Sequence, residues 1–430
     1  MIIFEVVIFI ILFFSIQQKG FLFLGLLFFF VYIITFLPSI FFLSTGSYYA
    51  PELQKFVGDD THRYAIWILI YILVTIIYVS KLIFRKAIVT KINYNFSNSK
   101  LKVVTIYKLN LNKIILFIYF AIIMFLIITT FLSPFPLLSG IDRNIYYELY
   151  GGIRIFLFYK FINLIGIYLG LFYITTFDSN MKRLTLFLFI LTLVELVLLG
   201  NKFSTPLNFI VFFLLPFSIL YMHKQIISVK VFYYTLIYTL IFFIIFYYMM
   251  TIYLGDAEFI DYLVDRVLIA QSQLYWLSVD KYFVNDNWSF DCFTQAIDKI
   301  YINTLFNYHG NRELLYLMYL DTPISQIIAR LEVGYMYTGA FPTILITIFG
   351  PYMFPVVLFI LVYVYIYSLK IFLYLISLGY FYSVIIFSYI ITNFAFLFVT
   401  GTFGTFKMWV IKILLFIVIY IFERKIHEKN

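Results

Sequence analysis

Charge is scarce in this chain. Lys, Arg, Asp and Glu make up 12 % of its 430 residues, against 64 % hydrophobic ones, and the mean hydropathy is +1.00. A soluble fold of this length could not wet such a surface. Cysteine is scarcer still: the single Cys292 excludes an intrachain disulfide and any cysteine-based metal cluster. The four histidines, His62, His223, His309 and His427, show no metal-ligand spacing, so no metal centre is expected. No Walker loop, dinucleotide fingerprint or Gly-x-Ser-x-Gly elbow occurs, which removes ATP-driven work and serine-hydrolase chemistry and leaves no cofactor to expect. Period-two alternation is also missing, and with it the transmembrane barrel. There is no internal repeat and no low-complexity linker.

What the chain does have is repeated apolar runs of about 20 residues, the length a helix needs to cross a bilayer. The expectation is an all-α polytopic membrane protein with about eleven spans (ten to twelve). They are read at roughly 2–16, 21–43, 64–83, 114–136, 153–176, 184–200, 206–222, 231–254, 341–369, 378–399 and 407–422. The opening MIIFEVVIFIILFFSI lacks a basic start and a small-residue cleavage site, so it reads as an uncleaved first span. The 55 Phe and 40 Tyr are largely what AT-rich codon usage supplies.

A formal net charge of +9 invites a nucleic-acid reading, but its distribution argues against one. Between Lys81 and Lys113 there are eight Lys or Arg residues and no acid, the signature of a short loop retained in the cytoplasm. Fixing that loop inside puts the N-terminus outside and the tail ERKIHEKN inside. Segments 44–63, 139–152, 200–206, 255–340 and 400–406 then lie outside. The organisation expected is a transmembrane bundle over 1–254, an external helical cap over 255–340, and further spans with a cytoplasmic tail over 341–430. Between Asp256 and Asp321 the cap segment holds ten of the 21 acidic residues, and its Trp, Tyr and Phe argue against disorder.

The stretch ELVLLGNKFSTPLNF at 195–209 sets an acid and a lysine among apolar runs. Glu195 and Lys202, about two turns or roughly 10.5 Å apart on a continuous helix, would share one face. An ionisable group inside a span is costly and faces the bundle interior or water. Gly200 and Pro206 break the helix around Lys202, leaving backbone N–H groups beside an ammonium, an arrangement suited to phosphate. Other cations gather on the same expected side: Arg154, Lys160, Arg266, Arg312, Arg330, Lys407 and Lys412. Arg grips phosphate bidentately and Lys as a point charge. Taken singly, each is more readily an ion-pair or interface residue; taken as a set they would suit a large polyanion.

The order of features resembles the Wzy-type oligosaccharide repeat-unit polymerases of bacterial surface polysaccharides, and more distantly the O-antigen ligases. A cation follows a glycine near mid-chain, then comes a long external loop, then "R…GY…G.FP…FG". The resemblance is carried by LLGNKFSTPL at 198–207 and IIARLEVGYMYTGAFPTILITIFG at 327–350. The family usually has arginine where Lys202 stands, and lysine keeps the charge but not the fork. The resemblance implies a GT-C-like bundle in the bacterial cytoplasmic membrane, with its site at the outer face. There a growing glycan moves from undecaprenyl diphosphate to a new lipid-linked repeat unit, without metal or nucleotide. It assigns Lys202, Arg266 and Arg330 to the diphosphate, with Arg154 and Lys160 as second choices. His309 or Glu332 becomes the base, while Glu195 and Arg312 line the site. Its partners would be the undecaprenyl-diphosphate-linked oligosaccharide, the lipid bilayer and a protein that sets chain length; nucleic acid is not expected.

Two other classes fit less well. A glycosyltransferase using polyprenyl monophosphate sugars would need an early acidic pair, for which Asp59 and Asp60 in VGDDTHR stand after the second span. A lipid-linked glycan transporter would use Glu195 for protons, but shows no matching halves here.

Overall fold

The computed structural model describes residues 2–17, 20–26, 36, 48–50, 55–58, 60–99, 106–139 and 146–200, then 204–224, 272–302, 312–332, 341–401 and 406–429. For Arg154, Lys160, Arg330 and Glu332 it describes the backbone. The described residues are about 89 % helical. Among the described residues, Thr61–Ile83, Asn112–Phe131, Thr205–Met222 and Thr343–Leu378 are helical stretches long and apolar enough to cross a membrane. Glu5–Ile16, Phe161–Thr175 and Phe381–Phe394 are shorter apolar stretches. That falls short of the eleven spans read from the sequence. The run at 231–254 and most of 21–43 lie outside the described residues. Two further helices, Ser179–Leu198 and Phe406–Lys429, carry Lys182, Arg183 and Glu195, and Lys407, Lys412 and Glu423, within otherwise apolar runs.

Apolar side chains on the outside carry the membrane assignment. On the Ile106–Phe131 helix, Ile114, Phe117, Ile118, Ile122, Phe125 and Ile128 are all exposed. They recur at three- and four-residue intervals, a continuous greasy stripe that water would not tolerate.

Inside, close helix packing depends on small residues. In the Gly152–Thr175 helix, Gly166 and Gly170 face the Ser204–Leu214 helix. A Cβ on Gly170 would sit 2.1 Å from the Phe213 carbonyl oxygen, and one on Gly166 3.0 Å from that of Phe209. This is the small-xxx-small packing by which membrane helices gain dispersion contact where no hydrophobic force drives them together.

The Thr343–Leu378 helix is interrupted where Gly350 takes φ 65°, ψ 178°, followed by Pro351 and Pro355. Pro351 has no N–H to offer the carbonyl of Thr347 four residues earlier. The Trp288 indole N–H donates to that carbonyl instead, at 3.3 Å. Its ring fills the space a side chain at position 350 would need, since a Cβ there would lie 2.3 Å from the indole.

Trp288 belongs to the 255–340 segment, whose described parts are tightly built in. The Gln273–Val279 helix is buried at every position and packs between Thr61–Ile83 and Thr343–Leu378; Tyr275 there donates to the Ala65 carbonyl at 2.6 Å. The sequence reading places this segment as a cap over the bundle; its first described helix is buried and is tied to the first turns of Thr61–Ile83. Among the described residues the all-α expectation has one exception, a two-stranded antiparallel hairpin pairing Tyr48 with Val57 and Ala50 with Lys55. Three-residue strands are too short to show alternation in sequence.

Contacts at the helix ends order the bundle. The Asn93 amide donates to the Met222 carbonyl at 3.4 Å, and Lys113 pairs with Asp178 at 3.7 Å. These gather the basic 81–113 segment and the Asp178 and Met222 helix ends at one end. The hairpin and the start of the Thr61–Ile83 helix stand at the other, as does the Gly200 turn.

Candidate functional site at the Gly200 end of the bundle

Glu195 lies in the last turn of the Ser179–Leu198 helix and is 0 % exposed. A carboxyl this deep must find donors or lose several kcal/mol of hydration. The Thr130 hydroxyl of the neighbouring Ile106–Phe131 helix donates to Glu195 Oε1 at 2.8 Å. Oε2 has no partner among the described residues, so the group can accept another donor. Thr192 donates to the Leu188 carbonyl at 2.7 Å, which leaves Tyr119 to donate to Thr192 at 2.6 Å. The Thr130–Glu195 and Tyr119–Thr192 bonds tie the same two helices through buried oxygens, at about 0.5–1.5 kcal/mol net for the neutral pair.

The polar line continues outward from Thr130. Ser133 donates to the Thr130 carbonyl at 2.9 Å, so Tyr146 donates to Ser133 at 2.7 Å. The adjacent Tyr147 donates to the Leu199 carbonyl at 3.3 Å, serving one of the orphan acceptors at a helix C-terminus. Phe135, Tyr146, Leu198 and Leu199 form a small apolar cluster around this junction.

Gly200 ends the helix with φ 74°, its N–H bonded to the Val197 carbonyl, a left-handed terminator that glycine adopts without penalty. The next helix opens at Ser204 with Pro206 in its first turn, where a missing N–H costs nothing. The break expected around Lys202 is therefore present. One expectation fails with it: the helix stops before Lys202, so Glu195 and Lys202 do not share the face of a continuous helix. Lys202 itself lies outside the described residues. The Gly152–Thr175 helix, which carries Arg154 and Lys160 on its backbone, follows directly from a wide turn over Tyr147–Gly151. Because Tyr147 is bonded to Leu199, the start of the helix carrying Arg154 stands beside the Gly200 turn.

The second group of expected residues belongs to the 255–340 segment. Arg312, half-buried, opens the Arg312–Asp321 helix. Arg330 and Glu332 lie on the backbone of the Ile324–Glu332 helix, and Arg266 and His309 lie outside the described residues. The Arg312–Asp321 helix packs on Thr343–Leu378, whereas the helix of Glu195 packs on Ile106–Phe131 and Gly152–Thr175. The structure thus builds two neighbourhoods at one end of the bundle, each holding part of the cationic set.

Two carboxylates latch the hairpin to the 255–340 segment. Asp280 Oδ1 accepts from the Gly58 N–H at 3.2 Å and from the Thr61 hydroxyl at 2.9 Å. It thereby stands at the positive N-terminus of the Thr61–Ile83 helix. Lys55 pairs with Asp321 at 2.8 Å. Asp60 is exposed and pairs with Arg63 at 3.3 Å, while Asp59 lies outside the described residues. Burial holds the hydroxyls of Tyr282, Tyr301 and Tyr316 above the ordinary phenol range. They remain donors at neutral pH; the Tyr301 hydroxyl donates a hydrogen bond to buried Glu313 at 3.4 Å. Among the described residues no group of three or more His, Cys, Asp or Glu could hold a metal ion.

Thr130, Ser133, Tyr146, Asp280 and Trp288 were not singled out in the sequence. Thr130 and Ser133 are small hydroxyls in an apolar run, and only the fold pairs them with Glu195 and Tyr146. Comparison with protein-family models, with curated proteins and with solved structures finds no match. Fold and composition define the class, a helical membrane protein.

Proposed function

We propose that this chain polymerises lipid-linked oligosaccharide repeat units at the outer face of a bacterial cytoplasmic membrane. The growing glycan leaves undecaprenyl diphosphate and joins a hydroxyl of the incoming unit. The anomeric C–O bond to phosphate breaks, a glycosidic bond forms, and the hydroxyl proton goes to a base. The leaving diphosphate supplies the driving force, so the protein must hold its charge and align the acceptor.

The observation that carries the reading is the coincidence of features at one end of the bundle. The Gly200 turn, the Tyr147–Leu199 junction beside it, and the tightly latched aromatic segment all stand opposite the helix ends that carry Asn93 and Lys113. Eleven spans and a cytoplasmic basic loop would make that end external. In this reading Lys202, Arg266 and Arg330 hold the diphosphate, Arg154 and Lys160 extend the cationic surface, and Arg312 lines it. His309 or Glu332 removes the proton, and Glu195 orients the turn from beneath. Asp60, exposed and paired with Arg63, gives the monophosphate-sugar alternative little to build on.

The test is reconstitution. Protein in lipid nanodiscs receives an undecaprenyl-diphosphate-linked repeat unit and no nucleotide. Glycans of two and more units together with free undecaprenyl diphosphate are expected. Turnover only with a polyprenyl monophosphate sugar, or no product beyond one unit, contradicts the proposal.

A further inference from the structure

Lys412 stands apart from both neighbourhoods, a half-buried cation on an apolar helix whose partners are neutral. It lies on the Phe406–Lys429 helix, which packs on Phe381–Thr400. Its ammonium donates to Asn393 Oδ1 at 2.6 Å and sits 5.3 Å from the centre of the Tyr389 ring. Tyr389 and Asn393 are four residues apart, so one face of their helix presents both. Ion pairing does not account for the lysine. Glu423, the described carboxylate on its own helix, lies roughly 16 Å along the axis. It is moreover committed elsewhere: it accepts from the Ser383 N–H and hydroxyl at 2.8 and 2.7 Å, capping the start of the Phe381–Thr400 helix.

A lysine within a membrane helix is expensive, and where it occurs it is paired or functional. Here its partners leave the charge uncompensated. With Oδ1 turned to the ammonium, the Asn393 amide keeps two N–H donors, and the Tyr389 hydroxyl adds another. The cluster therefore offers one cation and several donors, with no acid in its described surroundings. All three side chains are half-buried, so the group stays accessible from outside the protein. Asn393 lies about 12 Å before Gly401, where its helix ends, and Lys412 about 9 Å after Phe406, where the next helix begins, a depth from which a lysine stem reaches the head-group layer.

We propose that Lys412, Asn393 and Tyr389 form a binding site for the phosphate group of a membrane lipid. A phosphate monoester, diester or diphosphate supplies the missing counter-charge and accepts from all three donors. The site needs only that these two helices lie in a bilayer, and it is independent of the polymerase reading.

Native mass spectrometry of the full chain tests it. The protein is reconstituted in nanodiscs of phosphatidylcholine with increasing phosphatidylglycerol, and lipid retained on release is counted. Wild type is expected to keep phosphatidylglycerol in preference to phosphatidylcholine. Lys412→Met should weaken that retention about tenfold, the effect of one lost charged contact, and Lys412→Arg should preserve it. Asn393→Leu, which leaves the lysine in place, should weaken it by a smaller factor and serves if Lys412→Met does not insert. Inorganic diphosphate, added separately, distinguishes the sources. Displacement of the lipid means that the site takes phosphate from either source, and no displacement means that the lipid is required. Equal retention by wild type, Lys412→Met and Asn393→Leu, or no preference for phosphatidylglycerol in wild type, overturns the proposal.

Discussion

The Trp288 indole N–H donates to the Thr347 carbonyl, the acceptor that Pro351 leaves without its helical partner. One side chain thus repairs a helix break and fastens the 255–340 segment to the bundle. Trp288→Phe keeps most of the ring packing but removes the donor. An unpaired carbonyl costs about 1–3 kcal/mol, so melting in detergent should fall by several degrees. Limited proteolysis should reach residues 272–302 sooner. Gly350→Ala should do at least as much harm, because its Cβ meets the indole and its φ is positive.

Gly170 tests the packing of the bundle. A Cβ there strikes backbone, the Phe213 carbonyl, and cannot be relieved by turning a side chain. Gly170→Val should destabilise the protein by more than the roughly 1–3 kcal/mol of ordinary overpacking, read as lost monodisperse protein after extraction. Substitution of the exposed Phe117, by contrast, should leave melting nearly unchanged.

The hairpin latch should divide unequally between its two carboxylates. Asp280 accepts two hydrogen bonds at a helix N-terminus, and Asp280→Ala should cost about 1–2 kcal/mol. The Lys55 side chain is 42 % exposed, so Lys55→Ala should change stability by less than about 1 kcal/mol. Denaturant midpoints of the two variants check the order.

How much of this was legible beforehand depends on how local each cause is. Gly200 and Gly350-Pro351 announce breaks because glycine and proline act through their own backbone, and both breaks are present. The helical stretches follow from apolar runs and stand near their expected places. The joint face of Glu195 and Lys202 did not survive, since a helical spacing cannot be carried across a left-handed turn. Spacing alone would have found Gly166 and Gly170, a small-xxx-small pair inside an apolar run. Nothing local marks Asp280 as a helix cap for a segment more than two hundred residues earlier, nor Thr130 as the partner of Glu195. Those assignments exist only once the chain is folded.

Glu195 separates structural support from charge. Thr130→Val leaves Oε1 without a donor and should lower stability by about 1–3 kcal/mol. Glu195→Gln still accepts from Thr130 and should melt near wild type, whereas Glu195→Ala should open a cavity and melt lower. Under the proposed role, Glu195→Gln retains most polymerisation. A fully folded but inactive Glu195→Gln would assign the carboxylate charge, and not its hydrogen bond, to the reaction.

The central claim is polymerisation, and the surface polysaccharide of the host reports on it most directly. The gene is deleted, the polysaccharide is resolved on a gel, and the strain is complemented with wild type or Lys202→Ala, with membrane expression verified. The account predicts that the deletion leaves lipid carrying a single repeat unit and no ladder. Wild type should restore the ladder, Lys202→Ala should not, and Lys202→Arg should restore part of it. An unchanged ladder in the deletion strain, or loss of even the single unit, would contradict the account.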